Sequence, residues 1–151
     1  IYDCVPVAEV EELTDKEYVP DCCTPLYDAM GLSLNHLRAK VNDEDKVLVT
    51  IITDGEENSS TEYNSAAIKA LVDSLKEKGW VFAYIGANQD VLKVAQTISV
   101  TNVMNFSSTD FGTTSAIASL RKSRDRMFSR IADGVFYSVS ENTDFFSEDD
   151  E

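Results

Sequence analysis

The chain has 151 residues, 43% hydrophobic and 26% charged, which suits one soluble domain with a real core. Its formal net charge is −14, so its surface repels phosphate backbones and argues against nucleic acid as a partner. No apolar run approaches the ~18 residues that a membrane-spanning helix needs, so no membrane partner is expected.

Residues 2–10 carry Val5, Val7 and Val10 around Pro6, a pattern that predicts an edge strand. The acidic stretch through Glu9, Glu11, Glu12, Asp15 and Glu17 then reads as a solvated loop. Thr24-Pro25 opens a helix, with Thr24 as N-cap, Pro25 in the first helical position and Asp28 near the positive helix end. Leu26, Met30, Leu34, Leu37 and Val41 recur at helical spacing and predict one buried stripe. Residues 42–45 end this helix.

Residues 47–53 (VLVTIIT) are apolar on both faces, as in an inner strand of a parallel sheet covered by helices. The strand ends at Asp54-Gly55. Ser59 and Glu62 have capping-box spacing. A helix is expected from there to Lys78, with Ala67, Ile68, Leu71, Val72 and Leu75 inward and Gly79 closing it. A second buried strand follows at 80–87 (WVFAYIGA), then a short helix at 90–98 and a short strand at 102–106. Residues 113–132 predict a last helix whose apolar side is Ala116, Ile117, Leu120, Met127, Phe128 and Ile131. Arg121, Lys122, Arg124, Arg126 and Arg130 lie along it and read as a solvated face. Residues 1–139 form the expected domain, and 140–151 an acidic loose tail around Phe145 and Phe146. Strands alternating with helices predict an α/β fold with a mainly parallel sheet.

Cys4, Cys22 and Cys23 have no metal-finger spacing. They read as reduced thiols of a cytoplasmic protein, with a bridge from Cys4 to Cys22 or Cys23 as the alternative. His36, the single histidine, sits on a helix four residues from Lys40 and reads as a surface or structural side chain. A catalytic histidine arrangement would have to use it, and the chain has neither a GxSxG elbow nor a GxxxxGK[ST] phosphate loop. No enzyme activity is expected.

Ligands of open α/β sheets bind beyond the carboxyl ends of the strands. Asp54 directly follows an inner strand, and Thr24 precedes the helix that feeds that strand. Topology therefore brings a carboxylate and a hydroxyl to the same edge, thirty positions apart in sequence. Together they make half of an oxygen site for a hard cation. Glu56, Glu57 and Asn58 read as rim residues of that edge. Taken singly, Thr24 is also explained as a helix cap and Asp54-Gly55 as a turn.

In combination, TPLYDAMG, IITDGEENSS and YIGANQD resemble the von Willebrand factor A (VWA) family, bacterial type, over roughly residues 1–106. The resemblance implies a Rossmann-like fold and a metal-ion-dependent adhesion site. Thr24 matches the family's site threonine and Asp54 its site aspartate. It also implies Mg2+, or Mn2+ or Ca2+, in an intact domain, with an open coordination position completed by a carboxylate of a protein partner. The family's DxSxS motif is not present in the chain, and Cys22-Cys23 stand where members often carry glycine. A domain lacking that motif has an incomplete site and weak metal affinity. The resemblance further implies that the strand at 47–53 lacks its first-strand neighbour, and open edges of this kind invite pairing with another chain or self-association. Two other readings remain: a phosphotransfer receiver with Asp54 as phosphoacceptor, and a metal-free structural or interaction remnant.

Overall fold

The computed structural model describes residues 2–17, 19, 23–87, 90–134 and 145–146. In chain order they form α1 (Leu26–Arg38), β1 (Leu48–Thr53), α2 (Ser65–Lys76), β2 (Val81–Ala87), α3 (Val91–Thr97), β3 (Asn102–Phe106) and α4 (Asp110–Ala132). The three strands make one parallel sheet in the order β1-β2-β3. The α/β class with helices flanking a parallel sheet, compatible with a Rossmann-like fold, is as expected.

Side chains of a strand alternate between its two faces, and here each face has its own core. On one face, Phe82 and Tyr84 of β2 and Ile51 of β1 meet Leu26, Met30 and Leu34 of α1, Ile68, Val72 and Leu75 of α2, and Val91 and Ala95 of α3. On the other face, Val81 and Ala83 meet Met127 of α4 and Phe145, with Leu48, Leu120 and Ile131 at the margin. β2 is central, and all seven of its residues are buried.

Several boundaries differ from the sequence expectation, each for a physical reason. Residues 2–10 form no strand. One turn of 3-10 helix spans Val7–Glu9, and Val7 is 90% exposed. Pro6 supplies no N–H for a ladder, and the acidic flanks favour water. Thr24 is not the cap of α1. Pro25 holds that position, with no side-chain cap. The Ser59–Glu62 spacing caps nothing either: α2 starts at Ser65, and the Asn64 side chain accepts from the Ala67 amide. Gly79 closes the turn after α2 as expected, with φ at +85°.

α4 begins three residues earlier than its pattern suggested, capped by Thr109. Gly112 lies in the first turn of this helix. In the fold it allows close approach, since a Cβ there would stand 2.2 Å from the Ser107 carbonyl oxygen. Ile117 and Phe128, expected on the buried side of α4, are 41% and 43% exposed, while Ser123 is buried. The expected loose tail is corrected at two residues. Phe145 is buried, packs edge-on against Phe146, and its amide donates to Asn102 Oδ1 at 3.0 Å. The rest of 140–151 lies outside the described residues, as do Cys22, Asn88 and Gln89.

Cys4 and Cys23 are exposed and are not joined to each other, so the Cys4–Cys23 alternative is not formed. His36 lies on the surface with Lys40, and both contact Asp3, at 3.1 Å and 2.5 Å. These partners hold the Asp3 carboxyl at about 2, the Lys40 hydrogen bond contributing most and His36 next. Among the described residues no helix is long and apolar enough to cross a membrane.

Candidate functional site

The carboxyl end of β1 and the start of α1 meet, and the segment 54–64 that follows β1 fastens them. Thr24 and Asn58 are joined twice: the Thr24 amide donates to Asn58 Oδ1 at 2.9 Å, and the Asn58 amide donates to the Thr24 carbonyl at 3.2 Å. The Thr24 hydroxyl lies against Gly55, where a Cβ would come within 2.8 Å of Oγ1. Glycine at 55 is therefore required for the hydroxyl to stand beside Asp54. The turn itself is set by Thr53, whose hydroxyl accepts from the Gly55 amide at 3.2 Å and donates to the Gly55 carbonyl at 3.0 Å. Asp54 is exposed.

A helix leaves its first amides without internal partners. In α1 these amides are satisfied from the loop. The Tyr27 amide donates to Glu57 Oε2 at 2.9 Å, and the Asp28 amide to the Ser60 hydroxyl at 3.1 Å. Glu57 also accepts from the Ser59 and Ser60 amides and from the Ser60 hydroxyl. Its burial alone would raise the carboxyl pKa. The Ser60, Tyr27 and Ser59 hydrogen bonds together outweigh that, and the net shift is downward. Glu57 is thus not a rim residue but a half-buried anchor.

Asp28 makes the reciprocal connection. Its carboxylate accepts from the amides of Thr61, Glu62 and Tyr63 at 2.8–2.9 Å. The Thr61 bond is the largest influence lowering its pKa. Burial acts against it, and the Tyr63 and Glu62 bonds add to it. One carboxylate from the loop serves the helix, and one from the helix serves the loop. The Tyr63 ring completes the joint by lying on Gly31 of α1, where a Cβ would be 2.5 Å from the ring. Sequence reading assigned Asp28 only to the helix dipole and missed this role. The signal available was the density of acidic and hydroxyl residues in both segments.

Across from this joint, the ends of β1 and β3 and the start of α4 border an open pocket of about 390 Å³. Asp54 lines it with Ile52, Thr53, Phe106, Ser108, Thr109, Asp110 and Thr113. Oxygen-bearing residues therefore share this pocket with Asp54, while the Thr24 hydroxyl stands at the neighbouring Gly55, outside the pocket lining. Among the described residues, no group of three or more His, Cys, Asp or Glu side chains is placed to hold a metal. A cation at this edge would take a carboxylate, hydroxyls and water, a donor set that suits a hard ion.

In comparisons by family model, by sequence and by structure, no match to a known protein was found.

Proposed function

We propose that this chain is a protein-binding module of VWA type, in which Thr24 and Asp54 furnish oxygens for a divalent cation, Mg2+ or Mn2+ foremost. The observation that carries the reading is the contact of the Thr24 hydroxyl with Gly55, directly beside Asp54. The two residues come from segments thirty positions apart, and the cross-bonds of Asn58, Glu57 and Asp28 hold those segments together. A bound cation would supply Lewis acidity and an open position for a carboxylate of a partner protein. The protein's own residues supply preorganisation, because the loop bearing Asp54 is tied to the helix whose entry bears Thr24.

Two protein oxygens with water in the remaining positions bind weakly, so the affinity of the chain alone is roughly millimolar. Calorimetric titration with magnesium or manganese tests the reading. Weak uptake that disappears in both Asp54→Ala and Thr24→Val supports it. Uptake that survives both substitutions overturns it.

A further inference from the structure

The two faces of β2 are filled unequally by its own side chains. Toward α1, α2 and α3 it presents Phe82 and Tyr84, whereas toward α4 it presents the smaller Val81 and Ala83. That difference leaves room for a ring between sheet and helix. Phe145 fills it, fully buried in the cluster of Val81, Ala83 and Met127. Methionine suits such a wall, because its flexible thioether adapts to an aromatic ring. Phe146 packs edge-on beside Phe145, with ring centres 4.9 Å apart.

The backbone of Phe145 is held as well, although Phe145 and Phe146 belong to no helix or strand. The Phe145 amide donates to Asn102 Oδ1 at 3.0 Å, and its carbonyl accepts from the Arg126 guanidinium at 2.9 Å. Asn102 is buried at the start of β3, where its Nδ2 donates to the Phe82 carbonyl at 2.8 Å. One residue is thus gripped at its N–H, its ring and its C=O. Sites that recognise peptides are built this way, with backbone hydrogen bonds for affinity and an apolar slot for selectivity. Charge agrees with shape. α4 carries Arg121, Lys122, Arg124, Arg126 and Arg130 against Asp110 and Asp125, in a chain of net charge −14. In sequence the aromatic pair follows Asp144 and precedes Glu148, Asp149 and Asp150.

We propose that the space between α4 and the amino end of the sheet is a slot for adjacent aromatic residues flanked by carboxylates, and that Phe145–Phe146 is a strap that occupies it in cis and opens without unfolding the domain. The strap's hold is a buried ring with hydrogen bonds from two side chains, so no helix or strand has to break when it leaves. Segments held in this way open far more readily than core strands. The slot lies away from the cation edge: Val81, Ala83 and Asn102 stand at the starts of β2 and β3, whereas Asp54 follows the end of β1. Neither proposal depends on the other.

Amide exchange on the full native chain reads the strap directly. The Phe145 amide is expected to be protected relative to an unstructured chain, yet to exchange at least ~10-fold faster than the Tyr84 amide of β2. No protection, or a smaller ratio, overturns the proposal. Protection is expected to be equal at about 10 and about 500 μM, and protection that falls on dilution assigns the ring to a second copy and overturns the cis strap. A labelled peptide of residues 140–151 then reads the slot. The full chain carrying Phe145→Ser and Phe146→Ser is expected to bind it at least ~10-fold more tightly than the native chain, whose strap competes. Replacing both phenylalanines of the peptide by alanine, or adding Arg126→Gln to the emptied chain, is expected to weaken this binding. An emptied chain that binds no more tightly than the native one, or binding that is indifferent to the rings and to Arg126, overturns the proposal. The exchange measurement needs no variant, so it decides even where the emptied chain fails to fold.

Discussion

β1 and β2 look alike as sequences, since LVTIIT and VFAYIGA are both apolar on both faces. In the fold they part company: every residue of β2 is buried, whereas β1 stands at the edge of the sheet formed by the described residues, with Ile52 half exposed. Two-faced apolarity thus reports helices above and below, and it does not report how many strands lie alongside. The same contrast sets two borders of β1 against each other. Its carboxyl end is locked to α1 through long-range hydrogen bonds, while its lateral edge makes none with another strand among the described residues.

The widest gap should appear in the core. Phe82→Ala on β2 removes a fully buried ring and is expected to cost ~3–5 kcal/mol in urea denaturation. Ile52→Ala on β1 should cost under ~1 kcal/mol. Equal losses would mean that β1 is as enclosed as β2, and the comparison would fall.

The locked border can be probed at Gly31. Replacing a helical glycine by alanine is ordinarily favourable by up to ~1 kcal/mol. Here Gly31→Ala drives a methyl into the Tyr63 ring, so a net loss of about 1–3 kcal/mol is expected. A stabilised variant would show that Tyr63 does not clamp the loop onto α1.

A smaller effect should follow pH. The carboxyls of Asp28 and Glu57 ionise below their ordinary values of 3.8 and 4.5 in the folded protein. Their contribution to stability is therefore complete above those values and is lost as pH falls through the lower folded ones. Amide resonances of residues 59–63, followed from pH 6 downward, should shift with midpoints below the ordinary carboxylate values. Midpoints at or above 4.5 would contradict the network. At Asp3 the same measurement should give a midpoint near 2, because Lys40 and His36 hold it.

Much of this architecture was legible in the sequence because it is periodic. The stripe of α1, the both-face apolarity of β1 and β2, and the turn at Gly79 are local signals, and each marks its element, although α1 stops at Arg38, short of the expected end at 42–45, and leaves Val41 outside it. The misses are non-local. Pro25 displaced Thr24 as cap because amides of α1 find partners in Glu57 and Ser60, some thirty residues away. Phe145 looked like part of a loose acidic tail, yet it is buried against Val81, Ala83 and Met127, and its amide is fixed by Asn102. At the candidate site, topology alone foretold that Thr24 would approach the end of β1. The clamp of Asp28 and Glu57 was out of reach, because each partner's role depends on a backbone amide that no residue name reveals.

The central claim is that the edge formed by Thr24 and Asp54 is where a divalent cation sits. Manganese added in small increments to the isotopically labelled chain tests it most directly, since the ion broadens nearby amide signals. The account predicts that the amides of Thr24, Asp54 and Gly55 broaden first, and that Asp54→Ala abolishes the effect. Broadening confined to the acidic segment 9–17, or unchanged in Asp54→Ala, would contradict it.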